Sequence, residues 1–450
     1  MALLLAAPEA GADTPAEEPT ADRHQLIAHG ETTLQLFRRA LMPGPGGALV
    51  SEHTVAPMHQ YVSLRALDLD GPLGEDSLDI ELSAWGSVFI GDPESTRRTD
   101  GDVQSANVRL RHGPLAVRLG RQLVAGGAAR YARFDGARAG AALGSGFDAD
   151  AYGGFTVLPR WDARPGYHHL GAAYDSLLIE PNALPEPDRS GHWLAGGRIG
   201  YARHGGFAGL SFHEQHETGG VSRRNLAADA RYQPSAAVSV GGFSLMELDA
   251  RRFADARVFV DTTPARPLDL SVELRRTEPA LYLSRQSVLS VFSTDGYDEA
   301  GTQLVFRALP EVTFDGAGAV QLYDDTRRGA RGELGVRVAP GVAQSTVARL
   351  GFTRVLAVDN GYHALRASVA QRFSPAFTGT VEVYGYLYDE AIERHSTSSV
   401  LAGTLSYQLS EALRVLWGSS LAQSPYARFD AQTLLRAAYD FDLAPRRGAL

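Results

Sequence analysis

Ala106-Asn107-Val108-Arg109-Leu110-Arg111, then His112-Gly113-Pro114, then Leu115-Ala116-Val117-Arg118-Leu119-Gly120-Arg121-Gln122: this stretch decides the fold. Ala106, Val108 and Leu110 alternate with Asn107, Arg109 and Arg111. Leu115, Val117 and Leu119 alternate with Ala116, Arg118, Gly120 and Gln122. A side-chain period of two sends alternate residues to opposite faces of a strand. One face is therefore aliphatic and the other carries guanidinium groups. Against a second sheet, the aliphatic face would be a soluble core. Against lipid, it would be the outside of a transmembrane barrel, with the arginines facing a wet lumen. How often the unit recurs decides between the two.

It recurs to the end of the chain. Leu268, Leu270, Val272 and Leu274 alternate with Asp269, Ser271, Glu273 and Arg275. Gly332, Leu334, Val336 and Val338 alternate with Arg331, Glu333, Gly335 and Arg337. Leu413, Val415 and Trp417 follow the same rule, and the last segment sets Thr433, Leu435, Ala437, Tyr439 and Phe441 against Gln432, Arg436 and Asp440. Each run is roughly 10 to 13 residues, the length of a tilted bilayer crossing. Tight connections recur at His112-Gly113-Pro114, His204-Gly205-Gly206, Gln233-Pro234-Ser235, Leu309-Pro310-Glu311, Ala339-Pro340-Gly341, Phe373-Ser374-Pro375 and Leu409-Ser410-Glu411. Between them lie more variable connections: Gly126 to Gly146 and Thr277 to Tyr297 are long, Asp324 to Arg328 and Asp389 to Ser396 shorter and charged. Short turns at one end and longer loops at the other mark outer-membrane barrels. The pattern predicts an all-β fold, a transmembrane antiparallel up-and-down β-barrel of roughly 18–22 strands starting near Glu31. Leu281 to Phe292 reads either as a further strand or as part of a loop. With an even count both termini lie at the short-turn end, which would be periplasmic.

Composition excludes other classes. A length of 450 residues would ordinarily mean about two to three domains, but barrels are exceptions. Hydrophobic content is 44 %, yet no apolar run approaches the length of a helical span. No sustained helical period is present either. The chain has no cysteine, so disulfides and Cys-based zinc or redox sites are excluded. All 43 basic residues are arginine, and the net charge of −9 argues against nucleic acid as a partner. The opening Met1-Ala2-Leu3-Leu4-Leu5-Ala6-Ala7 resembles the end of a signal-peptide apolar region, and Ala10-Gly11-Ala12 supplies a small-x-small cleavage site. The expected division is a residual signal peptide at 1–12, a disordered periplasmic tail at 13–29, the barrel at 30–442 and a C-terminal tail at 443–450.

Arg118-Leu119-Gly120-Arg121-Gln122, Arg133-Phe134-Asp135-Gly136 and the aromatic-ended final strand resemble the large porin-type outer-membrane barrels of Gram-negative bacteria, the group that includes carbohydrate and alginate-export channels. Such barrels end on an aromatic residue read by the insertion machinery. Here Leu443 to Leu450 follows the strand, which leaves Phe441 as the signal residue.

As pore lining, Arg109, Arg111, Arg118, Glu273, Arg275, Arg331, Glu333 and Arg337 would set ion selectivity; as the wet face of any sheet they would do nothing special. The excursion from Gly126 to Gly146 carries Arg130, Arg133, Asp135 and Arg138. Folded inward, it would narrow the channel and set arginines across from Asp148 and Asp150; otherwise it is an exposed loop. Tyr61, Phe212, Tyr232, Tyr323, Tyr407, Trp417, Tyr439 and Phe441 mark strand ends, where lipid would make them interfacial girdles. Tyr384, Tyr386 and Tyr388 share one face of their strand, and Val381, Val383 and Leu387 argue that it is the inner one. Those rings would either stack on sugars or pack into a water-excluding patch. His213-Glu214-Gln215-His216-Glu217 fails the zinc-protease spacing, and His168-His169 has the same problem. No nucleophile elbow, phosphate loop or dinucleotide fingerprint occurs, and Ser211 near His213 is a weak hydrolase pair.

The expected function is a passive channel for small polar or charged solutes, without enzyme activity, cofactor or metal. The implied partners are outer-membrane lipid, the solutes, the insertion machinery and, as an option, two further copies in a homotrimer. The rivals are a barrel hydrolase, a non-conducting barrel with an adhesion or assembly role, and a soluble secreted β protein.

Overall fold

The computed structural model describes residues 25–41, 51–70, 77–90, 99–157, 192–217, 220–282, 295–341, 345–357, 360–392, 394–425 and 427–442. The expected signal peptide, most of the N-terminal tail, His168-His169 and the C-terminal tail lie outside them.

Alternation becomes strand throughout. The first seven are β1 (Gln25–Leu41), β2 (Ser51–Asp70), β3 (Ser77–Ile90), β4 (Thr99–His112), β5 (Leu115–Gly126), β6 (Arg130–Gly144) and β7 (Phe147–Thr156). Then come β8 (Trp193–Arg203), β9 (Gly206–Glu217), β10 (Gly220–Ser235), β11 (Val238–Glu247), β12 (Arg252–Ala265), β13 (Leu268–Thr277), β14 (Tyr297–Leu309) and β15 (Val312–Tyr323). The last are β16 (Arg328–Val338), β17 (Thr346–Leu356), β18 (Tyr362–Ser374), β19 (Phe377–Ile392), β20 (His395–Ser410), β21 (Leu413–Ser424) and β22 (Ala427–Asp442). The only described helical turn is the short Pro279–Tyr282, so this part of the 281–292 stretch is not strand. β1 begins at Gln25, inside the stretch expected to be tail.

All 22 strands belong to one sheet, each antiparallel to the next, and β22 pairs with β1 to close it. The seam shows what closure needs. Gly30 lies opposite Tyr439, and the Tyr439 ring occupies the place a side chain at residue 30 would take. The Tyr439 hydroxyl accepts from Gln60 Nε2 at 2.7 Å. On the other face His29 meets Asp440 at 2.6 Å and Glu31 meets Arg436 at 3.6 Å.

Connections sort by end. His204 and Gly205 both have positive φ, 52° and 75°, as do Ser145 and Gly146, 52° and 88°. These are two-residue turns of the mirror-image type that matches strand twist. They share an end with the turns at His112-Gly113-Pro114 and Gln233-Pro234-Ser235, with the start of β1 and with the finish of β22. β7 and β13 finish, and β8 and β14 start, at the other end, called the mouth below.

The outer face is apolar and bounded by rings. Across β7 and β8, Phe147, Ala149, Ala151, Gly153 and Phe155 lie opposite Tyr201, Ile199, Gly197, Ala195 and Trp193. Eight residue steps of about 3.3 Å, tilted about 40°, separate the aromatic levels by roughly 20 Å, near the apolar height of such barrels. Leu274, Val320 and Leu334 are at least 60 % exposed on this face. So much apolar surface facing outward has a physical reason only if the surroundings are apolar too.

Among the described residues, nearly all the buried larger side chains belong to β4–β13 and their connections. Among the described residues, the packed side chains of the enclosed space thus lie beside β4–β13, while the inward side chains of β14–β22 are mostly half-buried or exposed.

Candidate functional site

The packing comes from one hairpin. β4 pairs with β5 only from His112 opposite Leu115 to Ala106 opposite Arg121. β6 pairs with β7 only from Gly144 opposite Phe147 to Phe134 opposite Thr156, with one further bond from Val157 N to Arg133 O. β5 and β6 continue pairing with each other to Gly126 opposite Arg130. Residues 122–132 thus form a two-stranded ribbon with no ladder to the wall.

Its turn reaches β9 and β10. Ala128 N donates to Ser211 Oγ at 2.9 Å, and Asn225 Nδ2 donates to Ala128 O at 3.0 Å. A ribbon rooted at β5–β6 touches those strands only through the enclosed space. It therefore lies in the lumen, and the face bearing Ser211 and Asn225 is the inner one. Gly127 makes the approach possible: its φ is +54°, and a Cβ there would run into Ser211. Ala128 packs with Ala227, Leu245 and Ala254, and Phe243 and Leu281 close over them. Val124, Ala129, Ala132 and Phe134 pack on Tyr152 and Leu194. Full burial of Phe134 and Leu194 contributes about 1.5–3 kcal/mol each. Toward β4 the attachment is ionic: Arg133 meets Asp102 at 2.6 Å, and Arg121 meets Asp102 at 3.5 Å and Asp135 at 2.8 Å.

The expected constriction loop at 126–146 is corrected accordingly. Arg130–Gly144 is strand β6, and only the turn after Gly126 and the two-residue turn Ser145-Gly146 are not strand. Arg138 points inward and meets Asp150 at 2.8 Å. Arg133 and Asp135 have the opposite parity and pair with Asp102 and Arg121 rather than facing Asp148 and Asp150. Arg130 sits where the ribbon turns, with φ +58°.

Alternation places Arg109, Arg111, Arg118, Arg138, Asp148, Asp150, Glu273, Arg275, Arg331, Glu333 and Arg337 on the inner parity of their strands. Most are cross-strand pairs: Arg111 with Asp79 at 3.1 Å, Arg275 with Asp255 at 3.1 Å, Arg331 with Glu299 at 3.0 Å. Arg109, Arg118 and Arg138 differ, lying side by side in register across β4, β5 and β6. Among the described residues neither Arg109 nor Arg118 makes a close ion pair, but Asp79 of β3 lies directly opposite Arg109, and Glu81 and Asp79 both attract Arg118. Like charges set directly opposite destabilise a sheet, and these carboxylates offset part of that cost.

Next to the ribbon is a cavity of about 280 Å³ whose lining includes Arg138, Asp150, Tyr152, Arg198, Ser211 and Asp229. Arg198 holds Asp229 through two bonds of 2.5 and 2.9 Å. Ser211, Asn225, Arg198, Asp229 and Asp102 are site residues that the sequence reading did not single out for the constriction. Only the parity of Arg198 and Asp229 could have drawn attention to them.

Tyr384, Tyr386 and Tyr388 lie on the inner parity of β19, as expected, with Tyr362 of β18 beside them. Of the expected girdle residues, Phe212, Tyr232, Tyr407, Trp417, Tyr439 and Phe441 share the outer parity. Tyr61 and Tyr323 are inward, Tyr61 opposite Glu31 and Tyr323 opposite Tyr297. His213 points inward and is fully buried, with Nδ1 3.1 Å from the Tyr152 hydroxyl. His216 points outward and stacks on Trp193 at 4.0 Å. No group of metal-ligating side chains occurs among the described residues. The Ser211 hydroxyl is engaged with Ala128 N, not with His213.

No family model matches the chain, and no curated protein matches it. Among solved structures it is similar to the outer membrane protein OpdK from Pseudomonas aeruginosa, at 11 % identity over 92 % of this chain and 98 % of that one, TM-score 0.43. It is similar to a BenF-like porin from Pseudomonas fluorescens, at 10 % identity over 93 % and 99 % of the two chains, TM-score 0.44. It is also similar to the translocation pore of the P pilus usher PapC, at 11 % identity over 93 % and 100 %, TM-score 0.42. At these values the likeness carries no function to this chain.

Proposed function

We propose that this chain is an outer-membrane channel through which small polar or charged solutes diffuse passively. The observation that carries the reading is the contrast between the two faces of one closed barrel. Outside, aliphatic residues lie between aromatic levels. Inside, Arg109, Arg118 and Arg138 stand side by side, with Asp79 opposite Arg109 at the β3 end of the row. A 22-strand cylinder with strands about 4.8 Å apart and tilted about 40° is roughly 40 Å across. That is far wider than a small solute, so sieving requires something inside, and the β5–β6 ribbon supplies it. Solutes pass the ribbon and reach the arginine row, which lies on β4–β6 below it, toward the short-turn end. Arginine keeps its charge at any working pH, so the row favours anions across the neutral range. Wall charges act over about 10 Å at 0.1 M salt.

The test is the double variant Arg109→Ser/Arg118→Ser in a planar bilayer under a salt gradient. The reversal potential should shift toward cations with little change in conductance. The shift should shrink near 1 M salt, where the Debye length is about 3 Å. An unchanged reversal potential at low salt would place the row outside the conduction path.

A further inference from the structure

We propose that the inner wall of β18 and β19 is a binding subsite for the pyranose rings of a neutral oligosaccharide. The inference rests on the channel reading for access to the lumen. Tyr384, Tyr386 and Tyr388 occupy alternate positions of β19, so their rings rise up the wall at intervals of about 6.8 Å. Tyr362 stands against the upper two, 5.8 Å from Tyr386 and 6.4 Å from Tyr388, both edge-on. All four rings are half-buried, which leaves part of each open to the lumen. They sit toward the mouth, where a solute from outside arrives first, and across the lumen from the ribbon.

The polar groups fix the ligand class. Arg366 lies 5.0 Å over the Tyr384 ring and 3.2 Å from Glu382, and the Tyr384 hydroxyl donates to the same carboxylate. Tyr388 and Ser398 share a hydrogen bond of 2.9 Å. The hydroxyls of Tyr362 and Tyr386 make no hydrogen bond among the described residues. Arg366 covers one face of Tyr384, so the wall presents the lumen-facing parts of the half-buried rings, two hydroxyls without a hydrogen bond among the described residues, and a cation and an anion that offset each other. A free carboxylate ligand would find Arg366 already paired. A sugar ring uses both kinds of group: its C–H face lies on an aromatic ring, and its hydroxyls donate to Glu382 and accept from Arg366. Tyrosine suits this role because it joins an apolar body to a polar tip. Binding must stay weak if the solute is to leave.

The experiment uses maltotriose as the probe, with the full chain in detergent micelles and in planar bilayers. In micelles, saturation-transfer NMR reads binding whether or not the barrel conducts. Millimolar maltotriose should bind, and in bilayers it should reduce the ion current with the same half-saturation. Tyr386→Leu should weaken both at least tenfold, while Tyr386→Phe keeps the ring and should lose less than threefold. Each variant is first shown to migrate as a folded, heat-modifiable band. Conductance without maltotriose binding would overturn the subsite and leave the channel intact. Binding without conductance would uphold the subsite and overturn the channel. Binding equal in Tyr386→Leu, or benzoate bound more tightly than maltotriose and lost in the same variant, would also overturn the subsite.

Discussion

Parity does most of the work at the scale of single residues. Tyr384, Tyr386 and Tyr388 were legible as inward because Val381, Val383 and Leu387, at the alternate positions of the strand, are unmistakably apolar. Tyr61 and Tyr323 were not, because an aromatic residue suits either a lipid interface or a lumen wall, and its neighbours must decide. Parity also makes a sharp prediction about cost. Leu270 lies on the outer face and Ser271 on the inner, where its hydroxyl donates to Asp261 at 2.7 Å. Arginine on a lipid-facing site near the midplane costs about 2–4 kcal/mol, and much less near an interface. Leu270→Arg should therefore lower the urea midpoint of the folded band far more than Ser271→Arg. Val336→Arg and Gly335→Arg form a second pair with the same expected order, because Gly335 faces the Asp315 carboxylate and an arginine there gains a partner. Equal losses within each pair would overturn the assignment of faces.

Among elements, the β5–β6 hairpin was the least legible. Its outward positions in β6 are Ala137, Ala139 and Ala141, and in β7 Ala149, Ala151 and Gly153, so the aliphatic signal that marks the other strands is missing. The sequence therefore reads as a loop where the structure has strand, turn and strand. An inward turn here was one of two readings that the sequence left open. Which residues would make it was not legible, because the latch depends on Ser211 and Asn225, far along the chain and common in any strand. The ribbon's independence from the wall allows a direct test. Replacing residues 124–132 with a two-residue Asn-Gly turn, so that Leu123 and Arg133 stay opposite each other, removes the obstruction while keeping the β4–β5 and β6–β7 ladders. The shortened barrel should fold, conduct more and admit larger neutral solutes in liposome swelling. The milder pair Ser211→Ala/Asn225→Ala removes both latch bonds, each contributing about 0.5–1.5 kcal/mol, and should add open-channel noise without a new mean size limit. An unchanged conductance after the full replacement would mean the ribbon does not define the narrowest point.

On the scale of the whole molecule, the recurring unit from Ala106 to Gln122 was enough to give a closed antiparallel barrel and its two kinds of ends. The count came out at the top of the expected range, 22, and Ser145-Gly146 supplied a turn inside the supposed loop. What alternation cannot show is how the interior is filled, since filling is made by contacts between strands distant in sequence. The packing of the described side chains beside β4–β13 emerges only in three dimensions. The central claim of the proposed function is then a physical one: water runs continuously through the barrel past the ribbon. Purified, folded protein in a planar bilayer tests it most directly. The account predicts stepwise insertions, each adding a steady conductance that rises in proportion to salt concentration above about 1 M, where surface charge is screened. A bilayer that stays silent while the same preparation shows the heat-modifiable band of an inserted barrel would contradict it.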